Sequence, residues 1–249
     1  MPSVSRRGSL EDDVVDVWFL EGPTPSPTPE SWVQALDPSE RFRANGFRTP
    51  ELRARFVAAH ALVRTVLSRY AALAPEEWRI AHGPEGRPCL VDPPIDLRFS
   101  LSHSQEHAAV AVAVGRSIGI DLEEIDATVD VLGLAGRFFT RNEQAMLRAC
   151  SGMERPERFT TLWTIKEAVL KTRGAGLSSG LTTVEVQLGA SGELVRVTAP
   201  DRPWSVAAWS PVDGLRAALA VHSATLPPLR FFAASPLGPV REAPELGPA

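Results

Sequence analysis

The chain has 249 residues, of which 44% are hydrophobic and 22% charged, so it can form one large domain or two small ones around a real core. Its formal net charge of -4 gives no overall attraction to nucleic acid, and an anion site would have to be a local cluster. Two cysteines are too few for a secreted disulfide framework or a cysteine-rich zinc site. The sequence has neither the apolar segment of a signal peptide nor an apolar run that could span a bilayer. These features predict a soluble cytoplasmic protein without nucleic-acid or membrane partners.

Strand and helix signals alternate along the first half of the chain. Residues 14–20 predict a strand, residues 22–32 a proline-rich loop, and residues 50–72 a long helix with apolar side chains at helical spacing. Residues 97–102 and 108–114 predict two strands joined by a polar turn.

The second half follows a similar plan. Residues 118–123 predict a strand, and residues 138–150 and 158–172 contain predicted helices. Four antiparallel strands are predicted after them, at residues 183–188, 194–198, 205–210 and 215–221. Past residue 226 the chain is rich in Pro, Ala and Gly, so little order is expected there.

This weak internal repeat predicts an α+β fold built as a pseudo-dimer of two similar α+β lobes. The predicted boundaries are 1–116 for the N-terminal lobe, 117–226 for the C-terminal lobe and 227–249 for a poorly ordered tail. A cleft between two lobes is a common place for a ligand, so the active site is expected there.

The stretch GIDLEEI, residues 119–125, places acidic side chains on a predicted strand. Because alternate residues of a strand share a face, Asp121 and Glu123 point one way while Ile120 and Leu122 point the other. Neighbouring carboxylates repel each other and suit a hard cation such as Mg²⁺, with Mn²⁺ as the alternative. The competing interpretation is a solvated strand end, since short acidic motifs often occur by chance.

The stretch WTIKEAVLK, residues 163–171, contains both lysines of the chain, so 24 of the 26 basic residues are arginines. Helical spacing places one acid and two lysines on a single face, made of Trp163, Lys166, Glu167, Leu170 and Lys171. A surface helix with a Glu167–Lys171 pair worth about 0.3–0.5 kcal/mol is the alternative. The retention of Lys favours a site that handles phosphate and protons, because an ammonium gives up a proton more readily than a guanidinium.

Two other stretches carry groups that suit phosphate. Ser102 and His103 end a predicted strand and fit either a hydrogen-bonded turn or phosphate contacts. The chain contains no G-x-S-x-G elbow, so Ser102 is not predicted to be a hydrolase nucleophile. Arg87 lies in GPEGRPC, which is not a P-loop, but its guanidinium can bind a phosphate. Carboxylates combined with phosphate-binding cations suggest a metal-assisted attack on a pyrophosphate by an external hydroxyl.

Four motifs in order, FSLSHS, GIDLE, FFTxxE and WTIKEAxLKxxGxGL, resemble the 4'-phosphopantetheinyl transferases, and the length resembles their two-lobed Sfp type. The resemblance runs from about residue 38 to residue 188, and the order and spacing of the motifs make it specific. It implies a monomer that transfers the phosphopantetheine arm of coenzyme A to a serine of an apo acyl or peptidyl carrier protein. Mg²⁺ would be required and 3',5'-ADP released. The alternative is a non-catalytic CoA-binding or nucleotide-binding paralogue.

The resemblance also implies roles for single residues. It assigns the metal to Asp121, Glu123 and Glu167, and it makes Glu167 the group that deprotonates the incoming serine. The other catalytic positions are Lys166 and Lys171, the second of which acts on the departing phosphate. The implied coenzyme A contacts are Arg43, Arg55, Arg87, Ser102, His103, Lys166 and Lys171.

Two positions leave alternatives open. Glu143 matches a family acid near the metal, but a capping box with Thr140 explains it equally well. Glu40 stands where some family members have a lysine that contacts coenzyme A, and Arg41 is the neighbouring candidate to replace that lysine.

Overall fold

The computed structural model describes residues 13–20, 24–83, 85–174, 180–200 and 203–248. The helices are α1 (Glu30–Gln34), α2 (Pro38–Asn45), α3 (Pro50–Leu67), α4 (Val131–Phe138), α5 (Arg141–Ala149) and α6 (Glu154–Arg173). The strands of the first half are β1 (Val15–Leu20), β2 (Ile80–His82), β3 (Pro88–Leu90), β4 (Leu97–Ser104) and β5 (His107–Val114). The later strands are β6 (Ile118–Glu124), β7 (Glu185–Leu188), β8 (Leu194–Thr198), β9 (Ser205–Trp209), β10 (Leu215–Val221), β11 (Leu229–Ala234) and β12 (Val240–Glu242). The predicted α+β class is confirmed.

Two sheets form the frame of the molecule. The larger sheet has the strand order β12-β11-β1-β5-β4, and the smaller has the order β6-β10-β9. The pairing of β1 with β11 is parallel, whereas the other pairings in these sheets are antiparallel. Two separate hairpins, β2-β3 and β7-β8, complete the strands.

Each sheet has one face toward the other sheet and one face toward a long helix. Alternate residues of β1, β5, β6 and β10 form a core between the sheets, including Val17, Ala111, Ile120 and Leu219. The outer face of the larger sheet packs with α3, and the outer face of the smaller sheet packs with α6. This arrangement gives each half of the chain one helix on one sheet, which is the plan that the internal repeat predicts.

The edges of the two sheets meet along β4 and β6 through serine side chains. The hydroxyl of Ser100 accepts a hydrogen bond of 3.1 Å from the backbone N–H of Ile120. The hydroxyl of Ser102 accepts one of 3.2 Å from the N–H of Leu122. These two contacts fix β4 against β6, so that the ends of both strands meet at one place.

Helix α6 lies directly on β6 at Gly119. A Cβ atom at this position would overlap the carbonyl oxygen of Ala168 and the side chain of Thr172. The glycine of the GIDLE motif is therefore required for close backbone approach. This approach brings the C-terminal turns of α6 alongside Asp121.

The C-terminal segment corrects the expectation of a poorly ordered tail. Strand β11 extends the larger sheet beside β1, and β12 pairs with β11. Phe232 packs on the core below α3, while Phe231 packs on the core between the sheets, so both faces of β11 are covered. The Pro and Gly residues around this strand dominate the local composition, and its six residues, LRFFAA, show no alternation of apolar and polar side chains.

Several predicted element boundaries also change. Helices α1, α2 and α4 occupy parts of the chain for which no helix was predicted, whereas α5 lies within the predicted range 138–150. Helix α3 ends at Leu67, and α6 begins four residues earlier than predicted, at Glu154. Helix α6 is capped by Gly174, which adopts a left-handed conformation, and residues 175–179 lie outside the described residues. Within the described ranges, no helix is long and apolar enough to cross a membrane.

Strand β11 is also held by a charged pair, and substitution of its arginine tests how much the pair contributes to the stability of the fold. Arg230 donates to both oxygens of the buried Asp16 carboxylate at 2.7 and 2.9 Å, and the Tyr70 hydroxyl donates at 2.7 Å. Arg230→Met should lower the free energy of unfolding by about 2–3 kcal/mol, because it leaves a buried carboxylate without its cation. Arg241→Met, which removes an exposed pair with Glu245, should cost less than about 0.5 kcal/mol. Denaturant unfolding measures both, and equal losses would contradict the structural role of Arg230.

Candidate active site

A cleft of about 420 Å³ lies where the two halves of the chain meet. One wall comes from α2, α3, β2, β3 and β4, and the other from β6 and α6. A smaller cavity of about 250 Å³ adjoins it, since Glu167, Lys171, Phe99 and Leu101 line both. The cleft therefore lies at the predicted place, between the two halves.

The ammonium of Lys171 joins α6 to both sheet edges inside the cleft. Its Nζ lies 2.7 Å from Oδ1 of Asp121 and 2.9 Å from the hydroxyl of Ser102. That hydroxyl in turn donates a hydrogen bond of 2.9 Å to the same Asp121 oxygen. Ser102 thus accepts from Leu122 and Lys171 and donates to Asp121, which uses all of its hydrogen-bonding capacity.

Three carboxylates line this cleft, and the pKa of each is raised. Burial is the largest cause for each, and it raises the pKa of Glu123 and of Glu167 to about 7. The charge of Asp121 adds to both shifts, whereas Lys171 opposes them. The pKa of Asp121 is also raised by its burial, against the effect of Lys171. The cluster therefore holds more negative charge than its one neighbouring ammonium compensates.

The chemistry of these acids fits a hard divalent cation. Oδ2 of Asp121 and Oε1 of Glu167 are buried without a hydrogen-bond partner among the described residues. Carboxylate oxygens without a hydrogen-bond partner, in a cluster with excess negative charge, are ligands that suit Mg²⁺. In the described ranges no three His, Cys, Asp or Glu side chains already converge in metal-binding geometry. The ammonium of Lys171 lies against Asp121 instead. Metal binding would thus require side-chain adjustment around Lys171.

Helix α6 corrects the prediction that both lysines share one exposed face. Trp163, Glu167 and Lys171 line the cleft as expected. Lys166 is fully buried and does not line it, and Leu170 lies in the apolar core. Because α6 is covered by β6 and β10 on one side and by α4, α5 and β7 on others, nearly every face of this helix is buried.

Lys166 instead forms an ion pair with Glu143 at 2.6 Å. Its Nζ also donates to the carbonyl of Leu181 at 2.9 Å and lies 4.7 Å from the ring centre of Phe139. The other oxygen of Glu143 accepts from the N–H of Val186 at 2.8 Å. Glu143 also completes the capping box of α5, so the helix-cap interpretation is confirmed. Glu143 is not among the described residues that line the 420 Å³ cleft.

Four of the predicted coenzyme A contacts line the cleft beside the acid cluster. Arg43 and His103 do so, together with Ser102 and Lys171. Partial burial is the largest cause that lowers the pKa of His103, and the charge of Lys171 adds to it. His103 is therefore a largely neutral imidazole, in which one ring nitrogen can donate a hydrogen bond and the other can accept one.

Two other predicted contacts lie at different places. Arg55 forms an ion pair of 2.8 Å with Glu106 and does not line the 420 Å³ cleft. Arg87 lines the smaller cavity, where it donates to the carbonyls of Thr172 at 2.9 Å and Ile118 at 3.2 Å. Both guanidinium groups are thus engaged with the protein.

The sequence did not predict the network around Glu40, which lines the opposite end of the cleft. Glu40 pairs with Nδ1 of His60 at 2.8 Å and with Nε of the fully buried Arg64 at 2.5 Å. Arg41 donates to the carbonyls of residues 33 and 34 and is not among the described residues that line the cleft. The available signal was the i, i+4 spacing of His60 and Arg64 on the apolar face of α3.

The Lys166–Glu143 pair should contribute to stability. Lys166→Met leaves the buried Glu143 carboxylate without its cation, so the free energy of unfolding should fall by about 3–5 kcal/mol. Arg173→Met, which removes a positive charge from the exposed end of the same helix, should cost less than about 1 kcal/mol. Chemical denaturation measures both variants. A loss below about 1 kcal/mol for Lys166→Met would contradict the structural assignment.

The Glu40 network should make stability depend on pH. Burial alone would raise the pKa of Glu40, but His60 and Arg64 outweigh it and hold the pKa below the ordinary value of 4.5. Ionised Glu40 therefore stabilises the fold above that value, and the contribution is lost as pH falls through the lowered folded pKa. Glu40→Gln should cost about 2–3 kcal/mol at neutral pH, and this difference should shrink below about pH 4.5.

Unfolding of wild type and Glu40→Gln at neutral and acidic pH provides the measurement. Glu51→Gln, on the exposed first turn of α3, is a matched control and should change stability by no more than about 0.5 kcal/mol. A Glu40→Gln cost that stays constant with pH would contradict the assignment.

Comparison with known proteins identifies relatives of this chain. The family model of the 4'-phosphopantetheinyl transferase superfamily matches residues 117–220. The chain is 36% identical over 219 residues to 4'-phosphopantetheinyl transferase HetI of Nostoc sp., a match that covers 86% of this chain and 90% of the relative. It is 31% identical over 183 residues to 4'-phosphopantetheinyl transferase Sfp of Bacillus subtilis, which covers 74% of this chain and 80% of the relative.

A solved holo-(acyl-carrier-protein) synthase of Bacillus anthracis, in complex with CoA (3',5'-ADP), aligns with a TM-score of 0.38 and 21% identity over 44% of this chain and 96% of that chain. The two transferase relatives each match more than two thirds of the chain at above 30% identity. The chain therefore belongs to the 4'-phosphopantetheinyl transferase superfamily.

Proposed function

We propose that this protein transfers the 4'-phosphopantetheine arm of coenzyme A to a serine hydroxyl of an apo acyl or peptidyl carrier protein and releases 3',5'-ADP. Membership of the superfamily supports the reaction class. The observation that carries the proposal is the convergence of Asp121, Glu123 and Glu167 with Lys171 on one cleft. The presence of all four groups in the cleft argues against a non-catalytic paralogue.

The three acids form the proposed site for Mg²⁺, with Mn²⁺ as the alternative. Asp121 and Glu123 project from one face of β6, and Glu167 faces them from α6. Their raised pKa values and the two unpartnered oxygens support this assignment. When bound, the cation neutralises the pyrophosphate that is to be split.

Glu167 is the proposed base, and Lys171 is the proposed group that stabilises the leaving phosphate. Glu167 takes the proton of the carrier serine as the serine oxygen forms its bond to phosphorus. The bridging P–O bond of the pyrophosphate breaks, and its electron pair leaves with 3',5'-ADP. Lys171 stabilises the negative charge that develops on this leaving phosphate.

The remaining polar side chains of the cleft have proposed binding roles. Arg43 and His103 contact phosphate oxygens of coenzyme A, while Ser102 holds Lys171 and Asp121 in place. Contacts of Arg55 and Arg87 with coenzyme A stay predictions, because both guanidinium groups are bound to protein acceptors in this structure. Lys166 has no proposed role in binding, since it is buried against Glu143.

We also propose that residues 1–116 and 117–226 act as two lobes of one monomer in the cytoplasm. Residues 227–248 supply β11 and β12 to the sheet of the first lobe. This arrangement leaves the cleft at the junction of the lobes, where a carrier serine can approach from solvent.

The proposed function is tested by incubating the purified protein with coenzyme A, Mg²⁺ and a panel of apo acyl and peptidyl carrier proteins. The expected result is a mass gain of one phosphopantetheine on the carrier together with an equal amount of 3',5'-ADP. Carriers with the acceptor serine changed to alanine, and reactions with a metal chelator, provide the controls. No mass gain on any carrier of the panel would refute the proposal.

Glu167→Gln should lower the transfer rate by about a thousandfold, because the amide can neither accept the serine proton nor supply a negative charge. Its circular dichroism spectrum should match that of wild type. Glu157→Gln changes a half-exposed acid on the same helix and should transfer at the wild-type rate. A fully active Glu167→Gln variant would refute the assigned role.

A further inference from the structure

The acid cluster already contains a cation, the ammonium of Lys171. It contacts Asp121 and Ser102 at 2.7 and 2.9 Å, and the carbonyl of Leu101 lies at 3.4 Å. This ammonium uses one oxygen of Asp121 and leaves the other oxygen without a partner among the described residues. Lys171 therefore stands beside the carboxylate that we assign to the metal.

One ammonium does not balance the charge of three carboxylates. Oε1 of Glu167 is a second buried oxygen with no hydrogen-bond partner in the described part of the chain. Glu167 is only 7% exposed and Asp121 only 3%, so solvent does little to compensate either group. The site thus combines a resident cation with two free oxygens that a stronger cation can bind.

We propose that Lys171 is the built-in counter-cation of the metal-free site and that it gives up Asp121 when a divalent cation binds. This inference rests on the metal assignment of the proposed function. A doubly charged ion that contacts several carboxylates compensates their charge better than one ammonium does. The displaced Lys171 is then free to contact an anionic ligand in the cleft.

The surroundings of Lys171 allow this movement. Its side chain is 30% exposed and lines both the 420 Å³ cleft and the 250 Å³ cavity beside it. The four-carbon chain of lysine is flexible and ends in a compact charge, so the ammonium can move while its stem stays packed. Ser102, bound through Leu122 to β6, remains in place as a hydrogen-bond partner for Asp121.

The second lysine provides an internal reference. Lys166 is fully buried and fixed by Glu143 and the carbonyl of Leu181. Because the chain contains two lysines in all, a protein with ¹³C-labelled lysine gives one ε-methylene signal from each. The two signals separate the movement of Lys171 from any general effect of salt.

Titration of labelled wild-type protein with Mg²⁺ alone, followed by NMR, tests the inference. We expect a saturable shift of the Lys171 signal, with the Lys166 signal unchanged. Comparison with spectra of Lys171→Met assigns the two signals. A Lys171 signal that does not move at the Mg²⁺ concentrations used for transfer would overturn the proposal.

A second measurement uses calorimetry of Mg²⁺ binding in the absence of coenzyme A. Lys171→Met should bind Mg²⁺ about tenfold more tightly than wild type, because it removes the competing cation. Arg43→Met removes a positive charge that lines the same cleft without contacting Asp121, and it should change the affinity by less than about threefold. Equal effects of the two substitutions, or weaker Mg²⁺ binding by Lys171→Met, would contradict the competition between Lys171 and Mg²⁺ for Asp121.

The outcomes separate this inference from the proposed function. If the protein modifies a carrier in the presence of Mg²⁺ while the Lys171 signal stays fixed, this inference fails and the transferase function stands. If Mg²⁺ shifts the Lys171 signal but no carrier is modified, displacement is supported and the proposed function fails.

Discussion

The contact of Lys171 with Asp121 and Ser102 is the interaction on which the site depends. It brings one positive charge into a cleft where burial raises the pKa values of the carboxylates, and this charge opposes the shift. It also joins three elements, since Lys171 lies on α6, Asp121 on β6 and Ser102 on β4. This one contact therefore contributes both to the charge distribution of the cleft and to its geometry.

The fold supplies this contact through two kinds of close approach. Ser100 and Ser102 bind the backbone of β6 and hold the edges of the two sheets together. Gly119 lets the backbone of α6 rest on the same strand. Because a serine hydroxyl is both donor and acceptor, Ser102 can connect the frame to the ionic pair. The motifs FSLSHS and GIDLE thus position the site as well as supply its polar groups.

Much of the site could be predicted from the sequence because strand and helix periodicity decide which side chains share a face. This placed Asp121 beside Glu123, and it placed Glu167 and Lys171 on one side of α6.

Helical spacing could not decide the position of Lys166, because α4, α5 and β7 also cover α6, and the position of these elements depends on tertiary packing. Arg64 was equally unpredictable, since its burial requires carbonyls of residues 75 and 78 and acids of α2. Strand β11 was missed because its six residues show no apolar–polar alternation and its order depends on pairing with β1, more than two hundred residues away.

Turnover of the Lys171→Arg variant at saturating coenzyme A tests most directly whether this lysine is central to the chemistry. We predict that kcat for carrier modification falls by about a hundredfold or more, because a planar guanidinium cannot replace the compact ammonium that leaves Asp121 and stabilises the departing phosphate. The fold and the binding of coenzyme A should be retained. Turnover equal to that of the wild type would contradict the central role of Lys171.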